Sequence, residues 1–185
     1  EGFKTVITIR GVGYETNQNA IATPSVSYHL DGIYIASPYS LQTEFMDLER
    51  IEVLRGPQGT LFGQNSTGGA INVITSAPSL EESSSYGDIT IGDYSLIKTR
   101  ASFNRPLSET LAVRASFITH KRDGFTDNLS TGQDLDDADS ISARVRFLYQ
   151  PSETFRANFT AQIFDENRNG SAQKGLLDTT PTQEN

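Results

Sequence analysis

The chain has no cysteine among its 185 residues, which excludes both a disulfide framework and a thiolate metal site. It has only two histidines, His29 and His120. They stand in separate segments without a carboxylate cluster at ligand spacing, so metal ligation by them is not expected. Basic residues are in the minority, 15 Lys and Arg against 23 Asp and Glu, for a net charge of −8. Nucleic acid is therefore a poor partner, because that binding is driven by Lys and Arg meeting phosphates. No apolar run approaches the roughly 20 residues a membrane helix needs, so any membrane passage would have to use strands closed into a barrel. No nucleophile with an adjacent base can be assembled, which leaves no enzymatic reading and no implied cofactor. Glu1 opens onto a strand-like run without a charged n-region, apolar h-region or cleavage site, so the chain is expected to start inside a domain.

The chain is organised around residues 47–76, D-L-E-R-I-E-V-L-R-G-P-Q-G-T-L-F-G-Q-N-S-T-G-G-A-I-N-V-I-T-S, which read as strand, glycine loop, strand. Leu48, Ile51, Val53 and Leu54 are interleaved with charges, and Gly56-Pro57 stops regular structure by joining a permissive residue to a locked one. The loop carries Gly56, Gly59, Gly63, Gly68 and Gly69, a density unsuited to a helix. Residues 70–75 are β-branched and alternating, hence a strand. Earlier, residues 1–13 suggest one strand and 25–35 a second interrupted by the turn signal Asp31-Gly32. Residues 14–24 and 36–46 read as loops, and 76–85 as an acidic, serine-rich linker.

Three of these segments resemble one family. The run L-E-R-I-E-V-L-R-G-P-x-G-x-L-F-G-x-N-S-x-G-G-A-I-N-V-I-T is similar to the end of the plug domain in TonB-dependent outer-membrane receptors of Gram-negative bacteria. Ile7-Thr8-Ile9-Arg10-Gly11-Val12-Gly13 resembles the family's I-R-G segment, and Tyr28-His29-Leu30-Asp31-Gly32-Ile33-Tyr34 its Y-x-D-G-V-Y segment. The resemblance covers about the first 77 residues and implies the C-terminal part of a plug, mainly β with short helices.

From residue 78 the pattern has to be judged on its own, and its period is two. Over 97–103, 111–119, 141–149 and 155–163, the odd positions are nineteen residues, of which seventeen are apolar and two are threonines. The even positions between them include Lys98, Arg100, Arg114, Arg144, Arg146 and Arg156. A weaker strand over 86–92 precedes them. Such segments suit the wall of a transmembrane antiparallel β-barrel, although a soluble two-sheet sandwich would alternate in the same way. The connections favour the barrel: 105–110 and 151–154 are short, whereas 123–140 and the stretch from 165 are long and acidic. Phe103, Tyr149 and Phe155 fall on the apolar face beside the short turns, where an aromatic girdle belongs.

Five strands cannot close a barrel, because the last edge would leave backbone groups unpaired in lipid. The resemblance implies a wall of about 22 strands around a plugged lumen, so 1–77 is expected to be plug and 78–185 the linker and first wall strands. About 17 strands, the TonB box and the signal sequence would lie outside this sequence.

The resemblance further implies an energy-coupled transporter for a scarce nutrient, without covalent chemistry. Ferric siderophore is the leading cargo; oligosaccharide, aromatic compounds and cobalamin are alternatives, and a non-transporting sandwich adhesin is a minor one. Its partners would be TonB with the inner-membrane energising complex, outer-membrane lipid and lipopolysaccharide, and a small-molecule cargo. Arg10 and Arg55 match family arginines that pair with barrel glutamates; an exposed pair with Glu49 or Glu52 is the plainer alternative. Tyr14, Asn17, Gln18, Tyr39 and Gln42 sit on loops that face the outer vestibule in the family, and they offer stacking faces and neutral hydrogen-bonding groups for cargo.

The plainer readings of other features are structural. The glycine loop lacks the lysine of a phosphate cradle and serves better as tight turns packing the plug. The aspartates of 123–139 lack the order of a calcium loop. The row of inward Arg and Lys fits either attraction of an anionic cargo or satisfaction of plug carboxylates, the second being the plainer.

Overall fold

The computed structural model describes residues 8–9, 12–13, 25–36, 46–129 and 131–170. The chain divides into two compact units, one over Phe3–Ser76 and one over Ala77–Asn185 together with Glu1–Gly2.

In the first unit, β1 (Thr8–Ile9) pairs antiparallel with β2 (Val12–Gly13). The single strand expected over 1–13 is therefore corrected to two short strands, Thr8–Ile9 and Val12–Gly13, that pair with each other. A four-stranded sheet follows, built from β3 (Val26–Leu30), β4 (Ile33–Tyr34), β5 (Leu48–Arg55) and β6 (Gly69–Thr75) in the order β4-β3-β6-β5. Only the β3–β6 pair is parallel. These two strands are central and buried on both faces: Val26, Tyr28, Ala70 and Val73 supply apolar core, and Ser27, His29 and Asn72 are buried with them.

Asp31 and Gly32 both adopt positive φ, 50° and 80°, as the hairpin between β3 and β4 requires. The turn also fastens the sheet. The Asp31 carboxylate accepts from the Thr75 backbone N–H at 2.8 Å and from its hydroxyl at 2.7 Å, and the Asp31 N–H donates to the Val73 carbonyl at 2.8 Å. A residue 44 positions away thus fixes the end of β6.

The glycine loop corrects a second expectation, because it contains one helical turn, α1 (Gly59–Phe62). The glycines flank that turn more than they break it: Gly56 and Gly63 take φ of 84° and 72° on either side, which glycine allows without a Cβ penalty. The loop closes on itself through Gln58 N–H to Ser66 O at 2.9 Å and the Ser66 hydroxyl to Gly63 O at 2.6 Å.

The second unit is a five-stranded antiparallel meander of β7 (Ser84–Gly92), β8 (Leu96–Ser108), β9 (Leu111–Arg122), β12 (Ala138–Ser152) and β13 (Phe155–Glu166). Its order is β13-β12-β9-β8-β7. Between β9 and β12 lies a small hairpin of β10 (Thr126–Asp127) and β11 (Asp134–Leu135). The long loop expected over 123–140 is to that extent structured.

The strands also overrun the expected turns. β8 continues through Pro106 to Ser108, with a register shift between Pro106 and Ser108. Proline cannot donate to a ladder, and a bulge is one of the few places where a sheet tolerates it. At its start the unit is fastened by Asn104, 3% exposed. The Asn104 amide donates to Ser79 O at 3.0 Å and Glu82 O at 2.6 Å and accepts from Ser79 N–H at 2.9 Å. The linker is thereby held against β8, which its polar composition alone did not predict.

Candidate functional site

Alternation gives the five-stranded sheet two chemically different faces, and the register shows that they are continuous. Ala101, Phe117, Ala143 and Ile163 are direct neighbours across four strands, as are Phe103, Ala115, Val145 and Ala161 one row below. This odd-numbered face is the exposed one: Ile141, Phe147, Tyr149, Phe155, Phe159 and Ile163 are all exposed, the last at 68%. The opposite face holds Ser102, Asn104, Ser116, His120, Ser142 and Arg144, and these are buried.

In a water-soluble sheet the burial would be reversed. A sandwich would cover the apolar face with a second sheet, whereas here all five strands form one sheet with that face open. An apolar outside and a polar inside are what a barrel wall in lipid requires. From Ile141 to Tyr149 the apolar stretch runs about 27 Å along the strand, or about 21 Å when tilted, near the roughly 25 Å band of such walls. At the short-turn rim the Tyr149 and Phe155 rings meet edge to face at 6.3 Å, on the apolar side as the girdle reading expects.

The other rim carries a cluster that the sequence reading missed. The turn from β7 to β8 is short, and Tyr94 and Ser95 both have φ of 55°, so one tight connection lies on the long-loop rim as well. Tyr94 packs on Phe125 at 5.8 Å, and the Arg122 guanidinium lies 4.9 Å from the centre of that ring. Arg122 also donates to Asp136 O at 2.6 Å, and the Asp136 carboxylate accepts from Thr126 at 2.9 Å. Asp136 therefore has a local structural role. The pair Tyr94-Ser95 carries no glycine or asparagine, which is why turn chemistry gave no signal.

Of the proposed site residues, Arg10, Tyr14, Asn17, Gln18, Tyr39 and Gln42 lie outside the described residues. Arg55 ends β5 and is exposed. Among the described residues, Glu49 and Glu52 pair instead with Arg50, the latter at 2.8 Å. Gly56, Gly59, Gly63 and Gly68 line the closed loop, and Gly69 opens β6 opposite Arg55.

His29 has no metal-ligating company, yet its surroundings give it a different importance. It is 4% exposed, and neither ring nitrogen has a hydrogen-bond partner among the described residues. Phe62 of α1 meets it edge-on at 4.8 Å, and Tyr34 lies tilted against it at 5.6 Å. Burial lowers its pKa from the ordinary 6.5 and outweighs a backbone interaction at Gly32 that acts the other way, so folding favours the neutral ring. The unfolded chain then binds the extra proton below about pH 6.5. Stability conferred by β3 is present above that pH and declines as pH falls, by no more than about 1.4 kcal/mol per pH unit. Hydrogen exchange of the β3 and β6 amides should accordingly reveal weaker protection at about pH 5 than at about pH 7.5. His29→Leu should flatten that difference; an unchanged pH dependence in the variant would assign it to another group.

Comparison with known proteins agrees with this architecture. Residues 1–70 match the TonB-dependent Receptor Plug Domain family. The pesticin receptor of Yersinia pestis is 32% identical over 133 residues, covering 70% of this chain and 19% of that protein. The ferric enterobactin receptor PirA of Pseudomonas aeruginosa is 29% identical over 163 residues, covering 71% of this chain and 21% of its own length. Among solved structures, the ferric yersiniabactin uptake receptor FyuA from Yersinia pestis superposes with a TM-score of 0.66 at 26% identity, over 76% of this chain and 22% of that one. This chain thus spans about a fifth of the length of the curated relatives it matches. With a plug-type sheet followed in sequence by a five-stranded sheet whose apolar face is exposed, the chain belongs to the TonB-dependent receptors of the Gram-negative outer membrane.

Proposed function

We propose that the receptor containing this chain takes up a ferric siderophore across the outer membrane, with energy delivered through TonB and its inner-membrane complex. The supporting observation is the wall itself: five long strands with an exposed apolar face and a polar face buried along the three central strands, contiguous in sequence with a plug-type sheet. The names of the relatives supply the cargo class, since they include receptors for ferric enterobactin and ferric yersiniabactin. In this reading residues 1–77 act as the C-terminal part of the plug and 78–185 as linker and first wall strands. Arg10 and Arg55 pair with wall carboxylates to hold the plug, and Tyr14, Asn17, Gln18, Tyr39 and Gln42 meet the cargo. Uptake involves no covalent step. Cargo shifts the plug toward the state TonB engages, by as much as its affinity differs between the two states.

The test is the abundance of the receptor in purified outer membranes, with iron plentiful and with iron scarce, together with uptake of iron-loaded chelates. Induction by iron scarcity with chelate-dependent uptake is the expected result. An outer-membrane protein indifferent to iron would redirect the cargo to oligosaccharides, aromatic compounds or cobalamin. Absence from the outer membrane would remove the reading altogether.

A further inference from the structure

At the long-loop end, the apolar face of the five-stranded sheet gives way to charge along a line that does not run square to the strands. In the first row of that face Ile91 of β7 and Ile97 of β8 are apolar, while Lys121 of β9 and Asp139 of β12 are charged. One row further down, β9 and β12 have turned neutral at Thr119 and Ile141, but β13 is still charged at Asp165. Only in the third row does β13 become apolar, at Ile163. The border therefore descends two rows, each about 6.8 Å, across the four strand spacings from β7 to β13, each about 4.8 Å, an inclination of about 35°. Strands of a transmembrane barrel tilt by roughly 35–45°, so the staircase is the trace of a flat membrane boundary across tilted strands.

The same tilt ranks residues by depth at the short-turn end. Of the lysines and arginines in the five strands, only Lys121 and Arg105 stand at odd positions, on the apolar face. Lys121 has Asp139 directly across from it. Arg105 has Val113, in a row continued by Phe147 and Phe159, and Phe103, two residues before it, is 52% exposed. Arg105 is exposed, and among the described residues it has no hydrogen-bond or ion-pair partner. At this tilt one row along a strand and two strand spacings across the sheet change depth by the same roughly 5.5 Å. Arg105 of β8 is therefore level with Tyr149 of β12, one row on and two strands over, whose ring meets Phe155. That is the depth of an interfacial aromatic girdle. A cation on the lipid side is costly at mid-depth and nearly free at headgroup level, and a guanidinium fork matches phosphate oxygens bidentately.

We propose that Arg105 is a phospholipid-binding residue: its guanidinium grips the phosphate of a glycerophospholipid in the leaflet at the short-turn rim, and Phe103 and Val113 carry the acyl chain below it. The contact fixes the height of the wall near its first strands and does not depend on the cargo. Arginine suits the place because its stem lies along apolar surface while its head stays at the boundary, in reach of an oxyanion that no side chain across the ladder supplies.

The experiment uses the complete receptor as wild type, Arg105→Gln and Arg105→Lys, in mild detergent with phosphatidylglycerol, and native mass spectrometry measures the lipid each retains. Wild type should hold phosphatidylglycerol about fivefold more tightly than Arg105→Gln, with Arg105→Lys between them because lysine carries the charge without the fork. Excess inorganic phosphate should leave the lipid in place; displacement would assign the site to free phosphate and overturn the proposal. Urea resistance is then compared in vesicles of phosphatidylglycerol and of a digalactosyl glycolipid, which has no phosphate. Arg105→Gln should weaken the receptor in the first and not in the second. A loss of equal size in both would assign Arg105 to the sheet itself, and equal lipid retention by all three proteins would make it a side chain that merely reaches water; either result overturns the proposal. If Arg105→Gln does not assemble, Arg105→Lys decides: partial loss of retention supports the phosphate contact, and retention equal to wild type overturns it.

Discussion

Replacing Val145 by arginine is expected to cost the wall about 2–4 kcal/mol, the penalty for a cation at mid-depth of a lipid-facing barrel surface. Val145 lies at the middle of the apolar stretch from Ile141 to Tyr149, with Ala115 and Ala161 as its cross-strand neighbours. None of these neighbours has a group that could pair with the guanidinium, and the lipid beyond has none either. A loss of that size is a large part of the stability of most folded proteins, so far less receptor should reach the outer membrane. The control is Asn158→Arg, on the inward face of β13 across from Leu148. There the new side chain meets a polar lumen and should cost under about 1 kcal/mol. Folding into lipid vesicles measured by urea titration, with outer-membrane abundance alongside, separates the two. Equal tolerance of both substitutions would mean that the odd face does not meet lipid.

The second large effect is expected at Gly69. Its φ of 153° lies in a region nearly reserved for glycine, and an added Cβ would sit 2.5 Å from Leu54 O and 2.8 Å from the Ile9 side chain. The first of these atoms is backbone of the paired strand and cannot swing aside. Strain of about 1–3 kcal/mol from the backbone and a similar amount from overpacking put Gly69→Ala at about 2–6 kcal/mol. The β5–β6 ladder, which begins at Arg55 and Gly69, should open from that end first. Gly63 provides the comparison: it too has positive φ, 72°, but a methyl added there would have no neighbour within 4 Å. Gly63→Ala should cost only about 1 kcal/mol. Urea-dependent hydrogen exchange of the β6 amides in the complete receptor would rank the two. If the ranking were reversed, the glycine loop would be under more constraint than the start of β6.

The two predictions draw on different sources of information. The outcome at Val145 could be anticipated from alternation alone, since successive side chains of a strand point to opposite faces and the odd positions of 97–103, 111–119, 141–149 and 155–163 are almost wholly apolar. The Asp31-Gly32 turn was legible for a similar reason, because positive φ at adjacent positions selects these residue types locally. At Gly69 the sequence showed a glycine-rich loop but could not tell which glycine was irreplaceable. That depends on the Leu54 carbonyl and on Ile9, sixty residues away.

Other corrections share this physical cause. The helical turn Gly59–Phe62 was hidden by glycines that lower helix propensity but here sit at its edges. The extension of β8 past Pro106 depended on a bulge against β9, and the fastening of the linker on one asparagine more than twenty residues downstream. His29 shows the same limit: the residue is visible in the sequence, but the aromatic rings that deny it solvent come from β4 and α1.

What the sequence determined by itself is the chemistry of each surface: strand period, the apolar face, the permissive turns, and the motifs that point to the plug. Those properties are set within a few residues of one another, by φ/ψ preference and by the two-residue repeat of a strand. Only the tertiary structure decided which buried group lacks a partner, which glycine has no room, and which residues of different strands stand at one depth of the wall. Such features arise from register between distant segments, and a shift of one residue in any pairing would move every one of those side chains to the opposite face.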